Sequence, residues 1–200
     1  PSLGKLLNSI SQRANPHLRL GFFVGEALTT SHIDSFKQLA PDMQVVNLYG
    51  STETGRAVGF YEVQPSDNAG GQKRETIAVG QGIAGSQLIA FNSQMQLCAP
   101  GEVGQIGLRS QHISLGYHGD DKLTNERFIV NPFTGVADDL IYLTGDLGYA
   151  DEHGVFQCLG RLDKQVKIRG FRVELSDIEV CLTKHPDLSH VAVLSQTEQA

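Results

Sequence analysis

The chain has 200 residues, of which 40% are hydrophobic and 19% charged, and its 16 basic and 22 acidic side chains give a net charge of −6. This composition is typical of a globular protein, and no apolar run approaches the roughly 18 residues that a membrane-spanning helix needs. The negative charge argues against a nucleic-acid partner, and three widely spaced cysteines indicate free thiols in a reducing, cytoplasmic setting rather than a disulfide framework.

The first part of the chain has the pattern of an α/β unit. Residues 18–24 and 44–49 are short apolar runs that each end at a glycine, and they predict buried strands. Residues 30–40 predict a helix between them, with Thr30 or Ser31 as its N-cap. A strand, a helix and a strand joined by short links predict parallel pairing of the two strands.

The remainder of the chain has the pattern of antiparallel sheet. Residues 64–86 are rich in glycine and predict a loop. Beyond them, strand-like runs recur at roughly ten-residue spacing and predict an antiparallel sheet or a small barrel. These runs are 87–91, 103–109, 140–143, 155–159, 165–168 and 189–194. A further helix is predicted where Ser176 and Glu179 have the spacing of a capping box and Ile178 and Leu182 share one face.

Residues 47–54 (NLYGSTET) follow the second predicted strand directly, at the end of a strand where α/β proteins bind ligands. The Tyr49 ring can stack on a base, the hydroxyls can bind phosphate, and the Glu53 carboxylate together with phosphates can hold Mg²⁺. The alternative is that Thr52 only caps a turn and Tyr49 only packs.

Residues 142–146 (YLTGD) place an aspartate directly after a glycine. The Asp146 carboxylate can accept two hydrogen bonds from a ribose diol, as acidic residues do in dinucleotide sites. The alternative is that Gly145 and Asp146 only form a tight turn.

The segment at residues 161–173 differs from the rest of the chain because it holds five basic side chains and one acidic side chain. Lys167 and Arg169 fall on one face of a predicted strand and Ile168 on the other. Such cations would neutralise phosphates or an anionic leaving group, or they would mark a solvated edge strand. The change in composition predicts a domain boundary at about residues 161–164.

Together and in this order, these segments resemble the adenylate-forming, AMP-binding enzymes, most closely the adenylation domains of nonribosomal peptide synthetases. Residues 47–53 resemble the family element NxYGPTE, with Ser51 where proline is usual, and residues 142–147 resemble Y(R/K)TGDL. Residues 101–128 resemble the stretch GELxIxG…ARGY…LTxxRF, and residues 160–175 match GRxDxQVKIRGxRVEL almost letter for letter.

The resemblance implies a partial adenylate-forming fold of α/β plus antiparallel β type. Residues 1–162 would be the C-terminal part of the large AMP-binding subdomain with its β-barrel region. Residues 163–200 would be the hinge, at Asp163 and Lys164, and the beginning of the small α+β subdomain. Gly170 would belong to a loop that moves in for thiol transfer. We expect the family's phosphate loop and catalytic lysine to lie outside these 200 residues, so that this piece alone is not expected to catalyse adenylation.

The implied activity is a two-step reaction. A small carboxylic or amino acid attacks the α-phosphate of ATP, which gives an acyl-adenylate and pyrophosphate, with Mg²⁺ as the metal. A thiol, usually the phosphopantetheine of a peptidyl or acyl carrier protein, then takes the acyl group. The alternatives are an acyl- or aryl-CoA ligase of the same superfamily and a non-catalytic remnant that still binds nucleotide.

The resemblance also implies the site residues. Tyr49 would stack on adenine, Asn47 would bond its amino group and Asp146 would bind the ribose hydroxyls. Thr52, Glu53 and Arg161 would be the catalytic group, and Glu53 would hold the Mg²⁺ ion. The full set implied in ATP or AMP binding is Gly25, Glu26, Ala27, Asn47, Tyr49, Gly50, Ser51, Thr52, Asp146, Arg161 and Lys167.

The implied acyl pocket contains one informative charge. Its residues are Phe22, Val24, Leu48, Arg56 and Ala57. A buried guanidinium needs an anionic partner, which a substrate with a second carboxylate would supply. The run TETGRAV also resembles the TETQRAV of α-aminoadipate reductases, with Gly55 in place of glutamine. The alternative for Arg56 is a pair with a protein carboxylate outside the pocket.

Overall fold

The computed structural model of the chain describes residues 15, 17–55, 57–67, 76–163, 165–168, 171–185, 188 and 191–195. Its strands are β1 (Leu20–Phe23), β2 (Gln44–Gly50), β3 (Ala57–Glu62), β4 (Gln81–Gly82), β5 (Ser86–Phe91), β6 (Gly104–Ser110), β7 (Phe128–Val130), β8 (Leu140–Ala150), β9 (Phe156–Arg161), β10 (Gln165–Ile168) and β11 (Phe171–Glu174). Its α-helices are α1 (Thr30–Leu39), α2 (Asp121–Arg127) and α3 (Leu175–Leu182), and 3-10 turns lie at Thr52–Thr54 and Pro65–Asp67. Within this described part, no helix is both long and apolar enough to cross a membrane.

The predicted α/β unit is confirmed, but the prediction that its first strand is buried was wrong, because Leu20 and Phe22 of β1 are 51% and 62% exposed. Strands β1 and β2 pair in parallel, and α1 connects them. The predicted N-cap was wrong by one residue, because the extended residue is Thr29, whose Oγ1 accepts a hydrogen bond from the His32 amide at 3.3 Å. Ile33 and Phe36, one helical turn apart, are buried against β2.

Two sheets and one hairpin account for the strands of the described residues. The first sheet has the order β1-β2-β3-β4, with β3 antiparallel to β2. The second has the order β5-β6-β8-β7, with β9 paired to β8, and its pairs are antiparallel. Strands β10 and β11 form a separate antiparallel hairpin. The antiparallel prediction for the later part of the chain is therefore confirmed.

The core lies where the two sheets meet. Side chains from the end of β2, from β3, from the β5–β6 pair and from β9 form one buried cluster. Its members are Tyr49, Val58, Val79, Ala90, Ile106, Leu108 and Phe156. Because this cluster joins both sheets, the end of β2 is held against the second sheet, and this contact positions the site described below.

Strand β8 is longer than the sequence indicates. The predicted strand at 140–143 continues to Ala150, so the alternative that Gly145 and Asp146 only form a tight turn is wrong. The chain stays extended because β9 pairs with the second half of β8, with the register shifting between Leu147 and Gly148.

The end of the described chain departs from prediction in two places. Helix α3 begins at Leu175 with Glu174 as its N-cap, so Ser176 is inside the helix and the capping box was wrong. The Glu179 carboxylate accepts a hydrogen bond from the Val193 amide at 3.0 Å instead. Of the predicted strand at 189–194, residues 191–194 are irregular, and 189 and 190 lie outside the described residues.

Candidate functional site

A cavity of about 720 Å³ lies between the end of β2, the middle of β8 and the start of the β10–β11 hairpin. It brings together segments that are about 100 residues apart in sequence. Its lining residues are Val24, Gly25, Leu48, Tyr49, Gly50, Ser51, Thr52, Gly55, Ala57, Leu108, Tyr142, Thr144, Asp146, Arg161 and Gln165.

The turn after β2 forms one wall of the cavity. Ser51 has an extended backbone and precedes the 3-10 turn, where the Thr54 hydroxyl donates to the Ser51 carbonyl at 2.9 Å. Among the described residues, the buried Ser51 hydroxyl has no hydrogen-bond partner. A buried hydroxyl in this state is costly unless something else bonds it, which fits a polar ligand such as a nucleotide in this cavity.

Tyr49 and Asp146 join the two sheets at the cavity wall. The Tyr49 hydroxyl donates a hydrogen bond to Asp146 Oδ2. Burial, reinforced by the Asp146 charge, raises the pKa of the Tyr49 hydroxyl well above its ordinary value, so this group stays a hydrogen-bond donor at neutral pH. The Asp146 amide donates to Thr144 Oγ1 at 2.9 Å, and the Thr144 hydroxyl donates to the Ile106 carbonyl at 2.7 Å.

Arg161 divides its guanidinium between two carboxylates. It lies opposite Asp146 in the β8–β9 pair, and its Nη1 donates to Asp146 Oδ1 at 2.9 Å. Its Nε and Nη2 donate to the two carboxylate oxygens of Asp163 at 2.6 and 2.7 Å. These bonds lower the pKa of the Asp163 carboxyl, so Asp163 is ionised at neutral pH. The Arg161 side chain is 14% exposed, and such a buried guanidinium needs both anions.

Gly145 leaves room for this arrangement. Its φ of +78° lies in the left-handed region that favours glycine. A Cβ at this position would lie 2.7 Å from Arg161 Nη2 and 3.2 Å from Asp163 Oδ2. The glycine of the YLTGD run therefore suits a left-handed backbone inside a strand and leaves the space that Arg161 Nη2 occupies.

Glu53 lies beside the cavity and does not line it. Its side chain is buried, its Oε1 accepts a hydrogen bond from the Tyr117 hydroxyl at 2.8 Å, and its carbonyl accepts from the Ser114 amide at 2.7 Å. Within the described part of the chain, no three His, Cys, Asp or Glu side chains are grouped as metal ligands. Glu53 thus offers a single protein carboxylate beside the cavity, and oxygens of phosphate and water would have to supply the remaining ligands of a Mg²⁺ ion.

Comparison with known proteins identifies the family. The AMP-binding enzyme family matches residues 2–118. This chain belongs to the AMP-binding enzyme family. One similar protein is the L-2-aminoadipate reductase large subunit of Eremothecium gossypii, which is 37% identical over 93% of this chain and 15% of that protein. The chain thus spans about 15% of the length of this relative.

Solved adenylation domains share the fold. An NRPS protein containing adenylation and PCP domains, bound to a vinylsulfonamide inhibitor, has a TM-score of 0.85 and 28% identity over 96% of this chain and 33% of its own. The Vibrio cholerae adenylation domain AlmE, in complex with glycyl-adenosine-5'-phosphate, has a TM-score of 0.77 and 29% identity over 92% of this chain and 34% of its own. The chain therefore has a partial adenylate-forming fold, as the sequence predicts.

The structure brings most of the residues expected from the AMP-binding family to the cavity, with some exceptions. Asn47 is buried, and its side-chain Nδ2 donates to the Ala78 carbonyl at 2.8 Å instead of lining the cavity. The other described residues that were expected in the site and do not line the cavity are Phe22, Glu26, Ala27 and Glu53. Arg56, Lys164 and Gly170 lie outside the described residues, and Lys167 lies on β10 with its side chain outside the described part.

Sequence analysis missed some of the lining residues. Tyr142 and Thr144 precede Asp146 at intervals of two residues, so the alternation of β8 could have assigned them to one face. Gln165 and Leu108 carried no such signal, because their positions depend on how the hairpin and β6 approach the cavity.

Proposed function

We propose that this chain is part of an enzyme that activates an amino acid or a related acid with ATP. The acid would be converted to an acyl-adenylate and passed to the phosphopantetheine thiol of a carrier protein. Membership of the AMP-binding family supports this function, and so does the similarity to an NRPS protein that contains adenylation and PCP domains. The observation that carries the proposal is the network of Tyr49, Asp146 and Arg161 in the wall of the cavity.

The network suits a nucleotide that enters the cavity. The Asp146 side chain can accept hydrogen bonds from two ribose hydroxyls, and the Tyr49 ring offers a face for the adenine base. Arg161 lines the cavity and would meet the phosphates there, and the exposed Thr52 lies at the turn where its hydroxyl can reach a phosphate. Gly25 also lines the cavity, and its φ of +94° lies in the left-handed region.

Mg²⁺ is proposed to bind at Glu53 and to neutralise the phosphates of ATP when present. The chain's own contribution is to hold this carboxylate in place. The Tyr117 hydroxyl bonds the carboxylate itself, and the Ser114 amide fixes the backbone of Glu53 by donating to its carbonyl.

We further propose that the acid substrate carries a second carboxylate. The support comes from the similarity to an L-2-aminoadipate reductase and from Arg56, which follows the turn that forms the cavity wall. The neutral residues Val24, Leu48 and Ala57 line the cavity and would contact the aliphatic part of the acid. In the full-length protein, a preference for a neutral acid over α-aminoadipate in acid-dependent pyrophosphate exchange would contradict this specificity.

A boundary between two subdomains is proposed at Asp163 and Lys164. Residues 1–162 and 163–200 would then be parts of the large and small subdomains. Asp163 follows the end of β9, where the chain leaves the second sheet for the β10–β11 hairpin, and this position supports the proposal.

The function is tested by Asp146→Ala in the full-length protein. We expect acid-dependent ATP–pyrophosphate exchange to fall roughly 100-fold or more, because two hydrogen bonds to a charged acceptor are lost. Asp139→Asn is the matched control, since Asp139 also bonds an arginine on the same sheet but lies outside the cavity lining. Equal exchange in the wild type and Asp146→Ala would contradict the nucleotide site.

A further inference from the structure

Arg127 reaches the network from a helix that does not line the cavity. It is the last residue of α2, and its Nη2 lies 3.6 Å from Asp163 Oδ2. Its Nη1 lies 3.0 Å from the point where a Cβ on Gly145 would be. Two guanidinium groups, those of Arg127 and Arg161, therefore converge beside Gly145, where a side chain would displace them.

The local fold fixes Arg127 in this position. Asp120 caps α2 by accepting a hydrogen bond from the Leu123 amide at 2.9 Å. The next residue after the helix, Phe128, is buried with its ring 5.1 Å from that of Tyr142 on β8. The end of α2 is thus attached to the strand that carries Gly145, and a cation is favourable at the C-terminal end of a helix.

Among the side chains that the structure describes in this cluster, the charges balance when Arg127 is counted. Asp146 and Asp163 contribute two negative charges, and Arg161 and Arg127 contribute two positive charges. Without Arg127, one net negative charge would remain beside a cavity for an anionic ligand. Asp163, whose main cationic partner is already Arg161, would lose the additional attraction of Arg127 and would draw the Arg161 guanidinium more strongly away from Asp146.

We propose that Arg127 is a positioning residue for the nucleotide site. It holds Asp163, so that Arg161 remains shared with Asp146, and it keeps this wall of the cavity neutral toward the phosphates of the nucleotide. This inference rests on the proposed function and adds to it a residue outside the cavity. Arg127 does not touch the nucleotide and acts through Asp163 and Arg161.

The experiment compares an anionic and a neutral ligand in the full-length protein. Dissociation constants for AMP and for adenosine are measured by calorimetry in the wild type, Arg127→Ala, Arg127→Gln and Arg127→Lys. We expect Arg127→Ala and Arg127→Gln to weaken AMP binding roughly fivefold, as for the loss of a partly exposed ion pair, and to weaken adenosine binding less. Arg127→Lys restores most of the AMP affinity because it keeps the charge. The KM for ATP rises, while the KM for the acid stays unchanged.

Arg109→Ala is the matched control. It removes an arginine that bonds an aspartate on the same sheet, at a place that does not line the cavity. Unchanged AMP affinity in Arg127→Gln, an equal loss for AMP and adenosine, or an equal AMP loss in Arg109→Ala would each overturn the inference. A wild-type protein that binds neither AMP nor ATP would instead overturn the proposed function.

Discussion

Two arginine–aspartate pairs on the second sheet have nearly the same geometry and different surroundings. Arg109 donates from Nε and Nη2 to the two oxygens of Asp139 at 2.6 and 3.0 Å. Arg161 donates from the same two nitrogens to Asp163 at 2.6 and 2.7 Å. Both pairs lower the pKa of the aspartate, and the cause with the largest effect in both is the hydrogen bonding to the arginine. Only Arg161 has a further carboxylate, that of Asp146, in the wall of the cavity.

The partners of each aspartate explain the difference. Asp139 also accepts hydrogen bonds at 2.9 Å from Asn131 Nδ2 and Thr134 Oγ1, which belong to its own loop. Its oxygens are thus used to hold that loop on the sheet. Asp146 instead accepts from Tyr49 and Arg161, on two different strands that converge on the cavity. A paired arginine and aspartate therefore indicate a site only when a cavity adjoins them.

The largest expected effect comes from Gly145→Ala. The new Cβ would lie 2.7 Å from Arg161 Nη2 in a backbone with positive φ, so we expect the local opening free energy of β8 to fall by roughly 2–4 kcal/mol. Hydrogen exchange of the β8 amides in the full-length protein measures this free energy, and AMP binding should be lost with it.

Gly135→Ala is the control for Gly145→Ala, in the loop that Asp139 holds. Gly135 also has positive φ, at +65°, but a Cβ there would meet no atom within 4 Å. Gly135→Ala should therefore lower the local opening free energy only by the roughly 1 kcal/mol that a positive φ costs a residue with a Cβ. Equal effects of the two substitutions would contradict the steric role of Arg161 beside Gly145.

The next effect comes from replacing each arginine by lysine. Arg161→Lys keeps the charge but loses the planar fork that bonds Asp146 and Asp163 together, so we expect AMP affinity to fall roughly tenfold or more. Arg109→Lys should leave AMP affinity unchanged and should only increase hydrogen exchange in the loop around Asp139. Calorimetry with AMP on both variants of the full-length protein compares their AMP affinities. Wild-type affinity in Arg161→Lys would contradict the assignment of Arg161 to the nucleotide site.

Local patterns could predict only part of this architecture. The β1–α1–β2 unit followed from apolar runs and helical spacing, because α1 and β2 bury apolar side chains against each other and Phe23 of β1 packs against them. Strand β8 could not be predicted to its full length, since its second half is extended by pairing with β9. Helix α2 and strand β3 have no strong apolar period and were missed.

The sequence motifs predicted which residues lie in the site, but they did not predict the hydrogen bonds that connect those residues. Tyr49, Asp146 and Arg161 were expected to contact a nucleotide, and the structure brings all three to one cavity. The direct bonds among them depend on how the two sheets pack, which a motif does not record. The same holds for Arg127, whose role depends on its contact with Asp163 across the fold.

The smallest expected effect is the response of the two aspartates to acid. Both have pKa values below the ordinary value of 3.8 in the folded chain, so each pair contributes stability that is complete above pH 3.8 and is lost as the pH falls through the lower folded value. We expect Asp139→Asn and Asp163→Asn each to increase local hydrogen exchange at pH 7 relative to the wild type. Below about pH 4 this difference in exchange rate should shrink, because the wild-type aspartate is then also losing its charge.

AMP binding should distinguish the roles of Asp139 and Asp163, whereas acid should affect both aspartates in the same way. Saturating AMP should protect β8 amides in the wild type and in Asp139→Asn to the same degree, because Asp139 has no contact with the cavity lining that the structure describes. In Asp163→Asn the protection should be smaller, because Arg161 loses one of its two charged partners and is then held in the cavity wall by Asp146 alone among the carboxylates that the structure describes. Equal protection in both variants would show that Asp163, like Asp139, only stabilises its own part of the fold.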